Sequence, residues 1–559
     1  MAPSSPEGTA AAPALAARIW DRQLPHYPEN RQRYTYLAII VLATISLYYQ
    51  LYVQFAVATP IITHYQMTFT FFVYISVVGN VVGAFSSLLA GLADRWGRAN
   101  LVIYGLLITG LLVTFALPNA PNKWAFIVLS ALVGFVEGII LVATPALVRD
   151  FSPQLGRASA MGYWTMGPVI GSLVVTVVTS NTFHGSTTWQ DEITYAGISG
   201  LLVFVVSLAW LRELSPELRD QIMVSLRDRA LVEARAKGLD TEQALRGHWR
   251  QMLHLDIVGS AFAISVFLLL YYAAVGSSVI YFSTVFGYSV QRANAVLNWY
   301  WAANAISLVV VGLISDRLKV RKPFMLIGAL ASIVVLIVFA LDATEPKTGY
   351  YTFALLAAGI GITGGFTYAP WMASFTETVE KRNPAATATG LAIWGWIIRL
   401  VVAASAACLP LVVSSVTPLV SHGAQVAAAA KEAAPALAIV KAHPQLFAEL
   451  AKYPPGQAPA ALQQQAAQEV GLPGLGTVKA AGPQLAVLSK YGATVERASV
   501  KNPVQWQHWW WVCLGGQILF LPFIFVMAGR WSPRRAREDT EAHEQQLAQQ
   551  LRELDGEHV

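Results

Sequence analysis

Twelve apolar runs, each long enough to cross a lipid bilayer as a helix, dominate this sequence. A helix rises about 1.5 Å per residue, so roughly 20 apolar residues cross the hydrocarbon core of a membrane. Inside that core the backbone polar groups must bond to one another, and a helix achieves this within one segment. The sequence therefore predicts an all-α membrane protein with twelve transmembrane helices, here called spans. The predicted spans are 36–57, 69–92, 100–117, 124–148, 158–179, 193–211, 255–282, 291–314, 323–341, 350–374, 386–412 and 508–529.

The composition excludes an ordinary soluble protein. Only 13% of the residues are charged, whereas a soluble domain carries about 25% charged residues. The 17 Trp residues suit a protein with an aromatic belt at each membrane interface. The net charge of +6 does not indicate a nucleic-acid-binding protein, because the basic residues lie mostly in short loops between the apolar runs.

The distribution of Lys and Arg predicts the orientation of the chain. Most of the 38 basic residues lie on the side of the membrane that holds both termini. Loops rich in Lys and Arg stay in the cytoplasm during membrane insertion. We therefore expect a multi-pass protein of a bacterial plasma or inner membrane, with both termini in the cytoplasm. The first 30 residues contain no apolar core of the kind found in signal peptides.

The apolar runs divide the chain into seven parts. One of these parts is a long stretch between the last two spans that is rich in Ala, Gln and Pro. We expect this stretch to form a helical cap outside the cell. It is open whether the cap is a lid, a partner-binding element or a lineage-specific addition. The predicted parts are a cytoplasmic tail at 1–35, a six-helix bundle at 36–211, a cytoplasmic linker with a helix at 212–254, five further spans at 255–412, the extracytoplasmic insert at 413–507, the twelfth span at 508–529 and a cytoplasmic tail at 530–559.

The chain repeats itself at a nearly constant offset. An Asp-Arg pair follows the second predicted span and recurs after the eighth, and a Pro and a Gly recur in corresponding later spans. Such a repeat predicts two homologous halves, and therefore two pseudo-symmetric six-helix bundles. The corresponding residues are Asp94 and Arg95 with Asp316 and Arg317, Pro145 with Pro370, and Gly167 with Gly395.

The repeated turn carries a resemblance to a known family. It is similar to the pattern of the major facilitator superfamily, in which Gly, three residues, Asp-Arg, one residue, Gly and further basic residues join spans two and three. The resemblance covers nearly all of the chain and implies a secondary carrier with that family's fold. Two positions differ from the pattern, because Ala90 replaces the first Gly of the first copy and Lys319 replaces the second Gly of the second copy. The matching residues are Asp94, Arg95, Gly97 and Arg98 in the first copy and Gly312, Asp316, Arg317, Arg321 and Lys322 in the second.

In this family, the charged turn is thought to latch the cytoplasmic ends of the two halves together. An Asp at a helix N-terminus meets free backbone N–H groups, and neighbouring Arg side chains can reach a carboxylate of the opposite half. A simpler interpretation is that these residues only set the topology. The predicted cytoplasmic gate comprises Asp94, Arg95, Arg98, Asp316, Arg317, Glu377 and Glu380.

Two charges lie at the middle of predicted spans, where a charge is costly and therefore indicates function. Glu137 lies in the fourth span and Arg399 in the eleventh. Glu137 can gain and lose a proton, so it is our candidate for proton coupling. Arg399 keeps its charge at any working pH and suits the binding of an anion, with two hydrogen bonds if the anion is a carboxylate. Alternatively, the two residues simply neutralise each other as a structural pair.

Other polar and aromatic residues in the spans are candidates for binding a substrate. In the family, spans one, four, seven and ten line the central cavity, and this favours the Gln and Tyr residues of those spans. Each Asn or Gln is about as well explained by hydrogen bonds between helices. The predicted substrate-binding residues are Arg399, Gln50, Gln54, Tyr271, Tyr368, Asn298, Trp394 and Trp396.

These features favour a proton-coupled carrier that takes up a small organic anion. The alternative is a proton-coupled antiporter that exports amphipathic compounds or drugs. A stretch at 162–171 that resembles the family's antiporter motif, in which small residues let the two halves pack closely, supports this alternative. No phosphate-binding loop and no catalytic or metal-binding constellation is found in the sequence, so we expect neither an enzyme nor a cofactor. The expected partners are the solute, protons and the bilayer, and the expected state is a monomer. Cys408 and Cys513 are expected to be unpaired.

Overall fold

The computed structural model describes residues 22–87, 96–152, 164–218, 252–382, 387–454 and 457–535, together with Trp20 and Glu538. Within these residues, eleven helices are long and apolar enough to cross a membrane, and a shorter apolar helix lies where the sequence predicts the fifth span. The prediction of an all-α membrane protein is confirmed. The only strands among the described residues are Gln23–Leu24 and Glu213–Leu214, which pair in parallel.

The spans follow one another with short connections. Spans 1 to 6 form the first half, within residues 22–218, and spans 7 to 12 form the second half, within residues 252–535. The spans are Asn30–Ala56, Phe69–Ser87, Arg98–Leu111 with a π-helical turn at Leu112–Ala116, Lys123–Phe151, Gly167–Thr182, Trp189–Trp210, a π-helical turn at Leu255–Gly259 leading into Ser260–Phe267 and Leu269–Gly276, Val290–Leu318, Lys322–Asp342, Tyr350–Arg382, Thr387–Val412 and Ala493–Val526.

Span 12 begins well before the predicted residue 508, because its helix begins at Ala493. The first turns of this helix carry Glu496, Arg497 and Lys501. A search for apolar runs stops at such charges, although they do not interrupt the helix. The helix therefore extends beyond the apolar part of the span and continues from the insert without a break.

Spans 1 and 7 are interrupted at corresponding positions of the two halves. Span 1 stops at Val57, where φ is −112° and ψ is 29°, and the chain continues as the short helix Ala58–His64. Span 7 stops at Ser277, where φ is −139° and ψ is −11°, and continues as Ser278–Phe286. The two interruptions repeat at about the offset of the sequence repeat, which supports the division into two related halves.

The two ends of the bundle differ in how the halves meet. We call the end that holds residues 22–29 and 527–535 the termini end, and the opposite end, which holds residues 413–492, the insert end. At the insert end, one buried apolar cluster contains residues of both halves, among them Ile61 and Tyr281. At the termini end, the described residues form a separate cluster in each half, one around Phe151 and one around Trp371. The halves are therefore packed together at the insert end.

The three hydrogen bonds that cross between the described parts of the two halves also lie at the insert end. Asn294 Nδ2 donates to Ala56 O at 3.0 Å, beside the interruption of span 1. Asn298 Nδ2 donates to Ser180 Oγ at 2.9 Å. The backbone N–H of Phe69 donates to Thr417 Oγ1 of the insert at 3.1 Å.

The insert between spans 11 and 12 is helical. Its helices are Val416–Glu432, Ala434–Ala442, Pro444–Leu450, Ala460–Glu469, Gly471–Ala480 and Gly482–Val487, and a π-helical turn at Leu488–Gly492 leads into span 12. The two cysteines that flank the insert are free, and Cys408 is exposed whereas Cys513 is buried.

At the termini end, a side chain of the segment after span 6 caps the N-terminus of span 3. The buried carboxylate of Glu213 accepts a hydrogen bond from the backbone N–H of Arg98 at 2.6 Å and another from Ala99 at 3.3 Å. These are free N–H groups of a helix N-terminus, so the carboxylate is favoured there by both hydrogen bonding and the helix dipole. The preceding residue, Gly97, has φ +88°. A side chain at Gly97 would also overlap the Glu213 carboxylate.

Lys319 occupies the position in the second copy of the turn that corresponds to Gly97, and it shares the unusual backbone. Its φ is +55°, in the left-handed region. The backbone N–H of Lys319 donates to Asp316 O at 3.2 Å, and that of Val320 donates to Ser315 O at 3.3 Å, both in the last turn of span 8. This arrangement is a Schellman-type helix end, which usually contains Gly. Both copies therefore have a residue with positive φ three positions after the Asp.

We predict that Gly97→Ala will lower the stability of the purified protein by about 2 kcal/mol or more, since it combines backbone strain with overlap of a buried carboxylate. Thermal unfolding in detergent will measure the loss. Gly185→Ala is the matched control, because Gly185 has φ +62° but no atom lies within 4 Å of an added Cβ. Equal losses in the two variants would contradict the role of the Glu213 contact.

We also predict that Lys319→Gly will stabilise the protein by up to about 1 kcal/mol, because Gly adopts the left-handed region without the steric cost of a Cβ. The change will appear as a higher unfolding temperature in the same assay. Lys347→Gly, in an exposed loop between spans 9 and 10, is the control and is expected to give no gain. A lower unfolding temperature for Lys319→Gly would show that its side chain outweighs its backbone strain.

Candidate functional site

The two charges predicted at mid-membrane depth face the same region from opposite halves. Glu137 in span 4 is 7% exposed, and it interacts electrostatically with Arg399 of span 11. Neither side chain forms a hydrogen bond or a direct ion pair with any residue that the structure describes. The site therefore contains one acidic and one basic group that are close enough to influence each other and remain available to a third group.

Glycines in spans 2 and 4 let these two spans pack closely beside the charged pair. A Cβ at Gly134 would lie 3.1 Å from Gly79 O, and one at Gly138 would lie 2.5 Å from Gly83 O and overlap the Ser86 hydroxyl. The backbones of the two spans can approach this closely only because side chains are missing. The close approach places Glu137, which precedes Gly138, beside span 2.

Arg399 reaches this region across the face of Gly83. A Cβ at Gly83 would lie 2.8 Å from Arg399 Nη1. Spans 2 and 11 pack against each other, so the guanidinium of the second half lies directly on the first half. Gly83 could not be predicted from the sequence, because a single Gly in an apolar run gives no indication of what contacts it.

Tyrosines from spans 1, 7 and 10 surround the charged pair. Tyr48 interacts electrostatically with Glu137, Arg399 and Tyr368, and Tyr272 interacts with Arg399. The rings of Tyr48 and Tyr52 are 5.3 Å apart, and those of Tyr271 and Tyr272 are 5.1 Å apart. All five tyrosines are partly exposed. Tyr271 and Tyr368 were predicted, whereas Tyr48, Tyr52 and Tyr272 were not selected as binding residues.

The two predicted tryptophans of span 11 have different surroundings. The Trp394 ring lies 5.5 Å from Trp371 and 6.4 Å from Tyr368, so it extends the aromatic wall of the second half. Its indole N–H is buried without a partner among the described residues. Trp396 is 40% exposed and forms no ring contact within the described part of the chain. A helix turns about 100° per residue, so these two side chains lie on different faces.

The predicted amide residues contact neighbouring helices. Gln50 packs against Gly200 of span 6, which leaves no room for a Cβ there. Gln54 Oε1 accepts a hydrogen bond from Ser130 of span 4 at 3.2 Å. Asn298 joins the two halves through Ser180. Gln54 and Asn298 thus form hydrogen bonds between helices, whereas Gln50 Nε2 donates to Ser46 O of its own helix.

Several described charges of the predicted cytoplasmic gate, Arg98, Asp316 and Glu377, pair within their own halves. Arg98 Nη1 donates to both carboxylate oxygens of Asp150, at 2.7 and 2.8 Å. Arg321 pairs with Asp316 at 2.6 Å and with Glu377 at 3.1 Å. Arg317 and Glu380 lie in the last turns of spans 8 and 10. The remaining two predicted gate residues, Asp94 and Arg95, lie outside the described residues.

The described part of the Gly-Pro stretch packs against span 1. A Cβ at Gly171 would lie 2.7 Å from Tyr48 Cβ, and one at Gly167 would lie 2.5 Å from Thr44 Cγ2. These two glycines therefore hold Tyr48 in position within the first half. The helix that contains them, Gly167–Thr182, also packs against span 8 of the second half.

A groove lies along span 1 at the termini end. Its volume is about 530 Å³, and its described lining includes Arg31, Tyr34 and Ala38. At 100° per residue, Tyr34 and Ala38 lie on nearly the same helix face as Tyr48 and Tyr52. The described residues contain no group of three or more potential metal ligands.

The chain matches the family model of the Major Facilitator Superfamily over residues 40–406. No curated protein sequence matches it significantly.

The fold is similar to solved structures of transporters. One is a bacterial homologue of the human lysosomal transporter Spinster in an inward-facing, occupied conformation, with a TM-score of 0.54 and 15% identity over 89% of this chain and 97% of that chain. The unoccupied form of that homologue has a TM-score of 0.56 and 16% identity over 90% of this chain and 100% of that chain. A D-xylose–proton symporter has a TM-score of 0.52 and 14% identity over 67% of this chain and 90% of that chain. Identities this low support a shared fold only.

We predict that Gly138→Ala will destabilise the protein by about 2 kcal/mol or more, because the added methyl group meets the backbone of Gly83, which cannot rotate away. Thermal unfolding will measure the effect. Gly79→Ala, one turn before Gly83 on the same helix, is the matched control, since no atom lies within 4 Å of its added Cβ. The interpretation fails if Gly138→Ala is as stable as Gly79→Ala.

Proposed function

Because this chain belongs to the major facilitator superfamily and is therefore a multi-pass membrane transporter, we propose that it carries a small organic anion, a carboxylate, together with a proton. The observation that supports this proposal is the pair formed by Glu137 and Arg399. These groups face one region from opposite halves and have no direct partner among the described residues. A carboxylate ligand supplies the partner that the Arg399 guanidinium lacks.

The balance of charge at the site couples the proton to the anion. With Glu137 ionised, the pair is neutral, so an added carboxylate leaves a net negative charge in a region where charge is costly. When Glu137 is protonated, Arg399 is the remaining charge, and a bound carboxylate restores neutrality. A monocarboxylate is therefore favoured most when one proton accompanies it.

The tyrosines complete the proposed site. Their hydroxyls can donate to the second carboxylate oxygen, and their rings contact the apolar part of the ligand. Tyr48 and Tyr52 belong to the first half, and Tyr271, Tyr272 and Tyr368 to the second. A ligand held by both groups links the halves, which is what alternating access requires of a substrate. Trp394 extends the wall on the side of Tyr368.

The proposed transport cycle alternates between the two ends of the bundle. The packing of both halves at the insert end supports a conformation that is open toward the termini. With the termini in the cytoplasm of a bacterial cell, as the basic residues favour, this end releases the substrate inside. Among the described residues, Arg98 and Arg321 pair within their own halves, and in the proposed cycle the charged turns join the halves when the termini end closes.

Uptake by proteoliposomes will test the proposal. The probes are radiolabelled lactate, benzoate and succinate, each with and without a proton gradient directed into the vesicles. We expect gradient-dependent accumulation of at least one acid. Arg399→Ala should reduce the initial rate of uptake at least about 100-fold, because the carboxylate of the ligand is then buried without a partner for its charge. Arg399→Lys should keep a small part of the activity, because Lys lacks the paired donors of Arg.

Glu137→Gln tests the coupling role separately. This variant should still exchange internal for external substrate but should no longer accumulate it in response to a proton gradient. Arg292→Ala and Glu345→Gln, both exposed, are the matched controls and should behave as the unmodified protein. Normal carboxylate uptake by Arg399→Ala contradicts anion binding, and intact gradient-driven accumulation by Glu137→Gln contradicts proton coupling at that residue.

A further inference from the structure

The first helix of the insert contacts both halves. This helix, Val416–Glu432, lies against the helices Ala58–His64 and Phe69–Ser87 of the first half and against Ala493–Val526 of the second. Val416 and Val420 are buried, and they belong to the apolar cluster that the halves share. The insert is therefore part of the closed end and not an appendage in solvent.

One hydrogen bond fixes the contact with the first half. Phe69 is the first residue of span 2, so its backbone N–H has no partner within its own helix. The side chain of the preceding residue does not supply this partner, because Thr68 Oγ1 accepts a hydrogen bond from the backbone N–H of Phe71. Thr417 Oγ1 of the insert accepts the hydrogen bond from Phe69 at 3.1 Å. A side chain attached to the second half thus caps a helix of the first.

The base of the insert is attached firmly to the second half. The backbone N–H of Ser415 donates to Gln505 Oε1 at 2.9 Å, and Ser415 Oγ lies 3.0 Å from Asn502 Oδ1. Gln505 also donates to Ser414 Oγ at 3.2 Å. Because Asn502 and Gln505 belong to the helix that becomes span 12, both ends of the insert are held on one rigid element.

Contacts inside the insert make it a single body. The rings of His422 and Tyr491 stack with centroids 3.9 Å apart, which joins the first helix to the turn before span 12. Gln484 Nε2 donates to Glu432 at 3.0 Å. When the halves separate at the insert end, this body must stay with the second half and lose its contact with Phe69.

We propose that the insert is a clamp that holds the insert end closed through Thr417 and the buried face around Val420. The clamp opposes opening toward the insert side and so biases the carrier toward the conformation open at the termini end. This inference does not depend on the substrate or on proton coupling. It requires only that the two halves separate during transport.

The labelling rate of a buried cysteine will test the clamp. Ala274, 8% exposed, lines a small cavity between the halves, so a cysteine there reacts only when the insert end opens. The assay uses the full-length Ala274→Cys protein with Cys408→Ser, in nanodiscs, and a hydrophilic maleimide. When opening is fast relative to labelling, the rate is proportional to the open population. We expect Thr417→Val to label about fivefold faster, the factor that corresponds to one hydrogen bond.

Matched variants separate the clamp from other effects. Thr477→Val changes a partly exposed threonine of the insert whose hydroxyl donates to Pro473 O within its own helix, and it should label at the original rate. Val420→Ala should speed labelling through lost packing. Asn298→Ala, which removes another bond between the halves, is the positive control. If Asn298→Ala accelerates labelling while Thr417→Val and Val420→Ala do not, the clamp is refuted.

Discussion

A charge in the middle of a bilayer is stable only when the protein balances it, and the arrangement of the site depends on this constraint. Glu137 and Arg399 come from different halves, so each half carries an uncompensated charge until the other half approaches. Gly83 of span 2 leaves the space that the guanidinium of the other half occupies, and the glycines of span 4 let spans 2 and 4 pack closely within the first half. A solute that changes the charge between the halves therefore changes how strongly they attract each other.

Closure at the insert end rests on apolar packing and a few hydrogen bonds. No ion pair joins the described residues of the two halves. Apolar contacts and single hydrogen bonds contribute about 1 kcal/mol each, so they can be broken in sequence without leaving a charge exposed to lipid. At the termini end the described ion pairs stay within each half. The two gates thus use different chemistry, and ionic strength is expected to act mainly on the charged one.

The number of spans and the two charges inside them could be predicted from the sequence, because both depend on local chemistry. An apolar run of sufficient length must be a helix in lipid, and Glu137 or Arg399 inside such a run is conspicuous. The remaining features depend on neighbours that are distant in the chain. Whether Gln50 faces a cavity or Gly200 is decided by how spans 1 and 6 pack. Tyr48 and Tyr52 were not predicted as binding residues, because tyrosine is common in spans and indicates a site only where several tyrosines lie close together in the structure.

Gly97 and Lys319, at equivalent positions of the two copies of the charged turn, both have a positive φ, but ψ is 136° at Gly97 and 30° at Lys319. Gly97 precedes the helix of span 3, whereas Lys319 ends the helix of span 8. At Lys319 the positive φ is held by the helix end, including the carbonyls of Ser315 and Asp316, and does not require glycine. A pattern search that demands glycine will miss such turns, and a search for backbone geometry will find them.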